Sequence, residues 1–233
     1  RDFLHLRHEQ ESGLTMPTSG TTHNAQLAKA AKNHLGPIGM KRKGQSRVWF
    51  KDNGWWLGVV EFQPSSWSKG SYLNVAAMWL WNAKDYWSFD EGGRVEKFRE
   101  FKDTDQFADV ADALAIRARD ETLALSHRFS SIAAVAAHLC QKNDENPWHS
   151  YHAAMAALTI GDLEHAQERF RALLALEEHA PWMAALKAKV LGLSQHAAGA
   201  PRLSEVVAQE VANGRALLNL SPVDPALLWH TER

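Results

Sequence analysis

Val48-Trp49-Phe50-Lys51-Asp52-Asn53-Gly54-Trp55-Trp56-Leu57-Gly58-Val59-Val60-Glu61-Phe62-Gln63 reads as two β-strands joined by a tight turn. Val48-Trp49-Phe50 is a short apolar strand. Asp52-Asn53-Gly54 is a hairpin signal, because Asn and Gly accept the positive φ of a type I′ turn. Trp55 to Gln63 is the return strand. Trp55, Leu57, Val59, Glu61 and Gln63 fall on one face, and Trp56, Gly58, Val60 and Phe62 on the other.

Working outward, Pro64-Ser65-Ser66 ends that strand and Trp67-Ser68-Lys69-Gly70 makes a loop. Ser71 to Asn82 predicts a third strand, apolar on both faces and therefore central and covered. Gly93 to Phe101 predicts a fourth. Arg94, Glu96, Lys97 and Arg99 there suit an edge, where charge discourages stray pairing. Upstream, Ala25 to Leu35 carries Leu27, Ala28, Ala31 and Leu35 at helix-face spacing, stopped by Gly36-Pro37 and Gly39. The intervening stretch is basic, with Lys41, Arg42, Lys43 and Arg47.

From Thr104 the pattern turns helical. Asp103 or Thr104 suits the N-cap, and Phe107, Val110, Ala111, Leu114 and Ala118 form one stripe. Ser130-Ser131 caps a helix running to about Cys140, and Asn143 to Pro147 is a loop. Residues 148–219 read as four helices. The hairpin 148–178 resembles one tetratricopeptide unit, with Gly161, Ala166 and Phe170 at the turn, small-residue and aromatic spacings. The expected fold is therefore α+β. A small antiparallel sheet of three to four strands is packed by helices and followed by a C-terminal α-helical bundle. Residues 1–24 are a polar lead-in, 25–142 the Trp-rich domain and 143–233 the bundle. Met16 reads as a natural start, so residues 1–15 are expected to be upstream sequence.

The chain has 233 residues, enough for one large domain or two small ones. Its formal net charge of −1 gives no overall electrostatic footprint for nucleic acid or an anionic membrane. The single cysteine, Cys140, excludes an internal disulfide, and a reducing, cytoplasmic compartment is expected. No apolar run approaches the roughly 18–20 residues that span a bilayer, and Arg1 to Thr15 lacks an apolar signal core.

The run from Leu35 to Phe107 resembles a bacterial domain family of unknown function. The resemblance rests on Gly39-Met40-Lys41-Arg42-Lys43-Gly44, the pair Val48-Trp49-Phe50 and Trp55-Trp56, and Phe62-Gln63-Pro64-Ser65-Ser66-Trp67-Ser68. Tyr72-Leu73-Asn74-Val75 and Trp79-Leu80-Trp81 with Lys84-Asp85-Tyr86 and Ser88-Phe89-Asp90 complete it. It covers about a third of the chain and implies an intracellular α+β domain. It transfers no catalytic residue.

Seven of the ten tryptophans lie between Trp49 and Trp87. Such a group either builds a core or offers a sticky surface. Most are read as core, bridging the sheet and its helices; Trp67, in a polar loop, is the exception. Gln63 and Asn74 lie in or beside the central strands, where amides are uncommon. Either they tie the 64–70 loop to the sheet, or they present polar groups inside an apolar pocket. In the second case Gln63, Ser65, Trp67, Tyr72, Asn74 and Trp79 would be the ligand-binding residues. Lys41, Arg42, Lys43 and Arg47 beside aromatic strands are the candidate nucleic-acid contacts, against which stands a solvated basic loop. His149 and His152, with His138, Cys140 and Glu145, are too few at convergent spacing to assign a metal. Asp85, Asp90 and Glu91 read as turn residues rather than an acid–base pair.

No phosphate loop, dinucleotide fingerprint, nucleophile elbow or spaced metal-ligand set occurs, so no cofactor and no catalytic residue is assigned. The expected function is a non-catalytic module that binds a protein partner. The alternatives are a small-molecule site or enzyme with a pocket between sheet and helices, and nucleic-acid binding through the 41–47 segment.

Overall fold

The computed structural model describes residues 21–142, 146–200 and 202–229. Residues 1–20 of the expected 1–24 lead-in, and Glu145, lie outside them, and residues 21–24 belong to the first helix instead. Within the described residues the order is α1 (Thr21–Leu35), β1 (Lys41–Arg42), β2 (Val48–Asp52), β3 (Trp56–Glu61), β4 (Gly70–Trp79) and β5 (Glu91–Glu100). The helices α2 (Thr104–Arg128), α3 (Ile132–Cys140), α4 (Pro147–Thr159), α5 (Leu163–Ala175), α6 (Pro181–Gly199) and α7 (Leu203–Leu217) follow. The chain is thus α+β, a five-stranded antiparallel sheet in the order β1-β2-β3-β4-β5 with helices after it. The strand beyond the expected three or four is β1. Its two residues, Lys41 and Arg42, pair with Phe50 and Trp49 and were too short and basic to signal a strand.

Two compact units result. Among the described residues, the first holds those from Thr21 to Met78 and Tyr86–His127, and the second holds Trp79–Asp85 and those from Arg128 on. The principal boundary therefore falls at 127/128 rather than at residue 142.

In the first unit the β2–β3 turn departs from the two-residue type I′ form. Asp52 pairs with Leu57, Asn53 N donates to Trp56 O at 3.0 Å, and only Gly54 has positive φ, +85°. Trp55 joins the turn, so Asn53, Gly54 and Trp55 separate the two strands. Asp52 Oδ1 accepts from Gly54 N at 3.0 Å and fixes it. Strand β3 is buried along its whole length, and Leu73, Val75, Ala76, Ala77 and Met78 of β4 are at most 2% exposed. These two strands form the centre of the sheet, as their two-sided apolar pattern predicts. Asp103 caps α2 by accepting from Gln106 N at 2.8 Å. The α2 stripe of Phe107, Val110, Ala111, Leu114, Ala115 and Ala118 is buried, and Thr122 lies against β3 at Gly58, where no side chain intervenes. Helix α1 is fastened to α2 at both ends, by Gln26 Nε2 to Thr104 O at 2.6 Å and His34 to Asp112 at 2.7 Å.

In the second unit α4 is the hub and touches α3, α5, α6 and α7. Its residues from Ser150 to Thr159 are all buried, which a helix apolar on every side requires. Asn146 caps α4 by accepting from Trp148 N, with Pro147 in its first turn, and Asp162 caps α5 by accepting from His165 N at 3.1 Å. Residues 148–219 thus hold four helices, as their periodicity predicts. Trp79 and Trp81 stack at 5.2 Å, Trp81 Nε1 donates to His152 Nδ1 at 3.0 Å, and Tyr151 Oη donates to Trp81 O at 3.0 Å.

Candidate functional site

Strand β3 ends at Glu61, and Gln63 and Tyr72 exchange backbone bonds of 3.0 and 2.9 Å before β4 is fully under way. The residues between form a loop whose chemistry is hydroxyl, cation and indole: Pro64, Ser65, Ser66, Trp67, Ser68 and Lys69. Trp67 N donates to Ser65 Oγ at 3.1 Å, a local turn of the kind serine favours. The far stem is fixed by Phe101 N to Lys69 O at 2.9 Å. At Gly70, φ is +149° and an added Cβ would lie 2.2 Å from Arg99 O, so only glycine lets the chain turn back into the sheet there.

Arg47 closes the base of this loop. Its Nη1 donates to Phe62 O at 3.4 Å and Gly70 O at 3.1 Å, one carbonyl on each stem. Its Nη2 reaches His23 Nε2 at 2.8 Å and Asn24 Oδ1, both in the first turn of α1. Because the guanidinium can only donate, His23 Nε2 must accept, which places the imidazole proton on Nδ1. That Nδ1 is buried with no acceptor among the described residues. Burial, then Arg47, then Lys69 hold the His23 pKa below its ordinary value, so the ring stays neutral. Burial also lowers the Arg47 pKa, opposed by the Glu61 carboxylate.

His23, Arg47 and the residues from Pro64 to Gly70 line an open pocket of about 310 Å³. No Asp or Glu is among them. Above it Trp67 is 93% exposed, whereas the other six tryptophans between Trp49 and Trp87 are at most 6% exposed.

Gln63, Asn74 and Tyr72 sit beside this loop in a separate polar cluster. Asn74 Nδ2 donates to Glu61 Oε2 at 2.8 Å and to Gln63 Oε1 at 3.0 Å. Arg94 Nη2 donates to Gln63 Oε1 at 2.7 Å and Nε to Asn74 Oδ1 at 3.4 Å, while its guanidinium lies 4.1 Å above the Tyr72 ring. The two amides therefore tie the end of β3 to β4 and β5. Burial raises the Glu61 pKa, opposed by the Asn74 hydrogen bond, Arg94 and Arg47.

The structure thus divides the candidate ligand residues. Ser65 and Trp67 belong to the pocket, and Gln63, Tyr72 and Asn74 to the adjoining cluster. Trp79 lies in the second unit, fully buried against Trp81 and Phe129. The candidate nucleic-acid residues divide too. Lys41 is exposed on β1, Arg42 bonds Ser46 O and Gln45 O at 2.7 and 2.8 Å, and Lys43 Nζ sits 4.6 Å over the Trp87 ring with its pKa lowered by burial. Arg47 belongs to the loop. His23, Glu61 and Arg94 carry no signal in sequence that joins them to this place. His23 is separated from Arg47 by more than a helix, and Arg94 meets Asn74 only because β4 and β5 slip register between Ser71 and Asn74.

Elsewhere, no group of three or more His, Cys, Asp or Glu among the described residues is placed to hold a metal ion. Asp90 Oδ1 accepts from Ser88 Oγ at 2.8 Å and Glu91 pairs with Ala77 at the start of β5. No described helix is long and apolar enough to cross a membrane. Comparison of the chain with family models, curated proteins and solved structures finds no match.

Proposed function

We propose that the chain is a non-catalytic binding module that recognises a protein partner through the Pro64–Gly70 loop, with Trp67 as its anchor. The observation that carries this reading is the 93% exposure of Trp67 on a loop whose two stems are both bonded to Arg47. An exposed indole leaves a large apolar surface in water, and buried Trp is among the commonest hot spots of protein interfaces. A pinned loop presents it without a large ordering cost on binding.

Two features weigh against catalysis by the serines of the loop. The His23 Nε2 lone pair is taken by Arg47, so the one histidine in the pocket lacks the free acceptor a general base needs. The pocket is also open, unlike the enclosed clefts that hold small substrates. Asn74 and the Gln63 Oε1 are likewise taken up by Glu61, Arg94 and one another.

The test is site-specific crosslinking. A photoreactive residue in place of Trp67 is expected to capture a defined protein from host cells, and one in place of Leu123, exposed on α2, is not. Trp67→Ala should abolish retrieval of the same protein while leaving the melting temperature unchanged. Equal labelling from both positions, or none from position 67, refutes the reading.

A further inference from the structure

We infer that His23 is a pH-sensitive latch between the first turn of α1 and the base of the Trp67 loop, closed while its ring is neutral and open once the ring is protonated. The inference goes beyond the binding-module reading and is tested on the chain alone. Its basis is a hydrogen bond that only one protonation state can make. Arg47 Nη2 lies 2.8 Å from His23 Nε2, and a guanidinium has no lone pair to offer, so the imidazole must accept. A proton taken from solvent at Nε2 removes that acceptor and leaves two cations face to face. The imidazolium then holds two N–H donors, and its Nδ1, already buried, has no acceptor among the described residues.

The surroundings give the new charge little support. Arg47 reaches His23 from just before β2 and Lys69 acts on it from the loop, both as cations. Phe101 and Phe107 face it with rings 5.5 and 6.0 Å away. On that side Asp103 Oδ1 accepts from Gln106 N at the α2 cap. The first turn of α1 itself holds no acid, and a cation there opposes the helix dipole. Glu61 acts on Arg47, and Asn74 and Arg94 act on Glu61 in turn, so that carboxylate steadies the guanidinium. Arg47 stays with the loop, because Phe62 O and Gly70 O hold its Nη1 from both stems. The part that yields is the end of α1, whose bond to Thr104 O begins only at Gln26. His23 and Arg47 both line the pocket beneath Trp67, so withdrawal of His23 opens one wall of it.

Nitrogen-15 NMR of the full labelled chain, from neutral to mildly acid pH, follows the ring and the backbone together. At neutral pH the His23 proton is expected on Nδ1. The ring should titrate with a midpoint below 6.5, and the amides of Asn24 and of Ser65 to Gly70 should move with that same midpoint. His23→Gln keeps an acceptor and has no proton to gain. Its loop amides should lose the transition, while its circular dichroism and melting temperature at neutral pH stay those of the parent. Glu61→Gln should retain the transition. A ring proton on Nε2 at neutral pH overturns the latch. So do loop amides that stay still while His23 titrates, or that titrate unchanged in His23→Gln. Loss of the transition in Glu61→Gln assigns it to the carboxyl and overturns the latch equally. If His23→Gln does not fold, the tautomer and the shared midpoint in the parent decide. Crosslinking from position 67 is a separate readout, so the latch and the anchor reading can fail independently.

Discussion

The Glu61 carboxyl is only 6% exposed, with Asn74 Nδ2 at 2.8 Å and the Arg94 and Arg47 charges nearby. Burial outweighs these partners and raises its pKa from the ordinary 4.5. A carboxyl whose folded value lies above its unfolded value adds stability below about pH 4.5, and that contribution is lost as pH rises through the folded value. Glu61→Gln keeps an acceptor for Asn74 and removes the titration. The variant should melt above the parent at neutral pH, with the difference shrinking to nothing as the pH falls below 4.5. Calorimetry across that range checks the sign; a parent equal to or more stable than the variant at neutral pH means the arginines fully compensate the buried charge. His23 has the opposite linkage. Its lowered pKa supports stability above 6.5 and withdraws it as the pH falls toward the folded value.

At the scale of elements, Gly214 decides how α7 meets the segment around Leu80. A Cβ at Gly214 would lie 2.2 Å from Leu80 O, a backbone atom that cannot swing aside. Gly→Ala in a helix interior normally gains up to about 1 kcal/mol. Here the clash should reverse that sign, and Gly214→Ala is expected to destabilise by about 1–3 kcal/mol, the range for forced overpacking. Chemical denaturation measures it; a neutral or stabilising result means α7 can withdraw from Leu80 without loss. The elements themselves were largely legible. The hairpin at Asp52 to Gly54, the α2 stripe and the caps at Asp103 and Ser131 all rest on local chemistry, and local chemistry is written in adjacent residues. The two-residue β1 was not, because its pairing with Trp49 and Phe50 comes from β2 and not from Lys41 and Arg42. Nor was the role of Arg47, which reads as one more basic residue until His23, Phe62 and Gly70 are brought to it.

For the molecule as a whole, ten tryptophans give one composite emission. Trp67 at 93% exposure and Trp182 at 41% are its most water-exposed contributors among the described residues. Trp67→Ala should therefore shift the emission maximum to shorter wavelength and lower the fraction quenched by acrylamide. Unchanged emission means the indole is already covered in solution, by a second chain or by its own. The site follows the same division between local and distant information. Trp67 in a polar loop was legible as the outlier because solvent exposure follows composition. The pocket behind it joins residues 23, 47 and 70 and depends on tertiary closure.

The excursion of Trp79–Asp85 into the second unit makes the chain indivisible to a single cut. Trp79 meets Phe129, and Trp81 holds Tyr151 and His152, yet Trp79 ends β4 and Trp81 is encoded between β4 and β5. A fragment beginning at Arg128 lacks part of its own core, and one ending at His127 carries two indoles with no place to go. The units are distinct in contact but not in inheritance, so insertion, deletion or recombination at the boundary between them would deliver neither half intact.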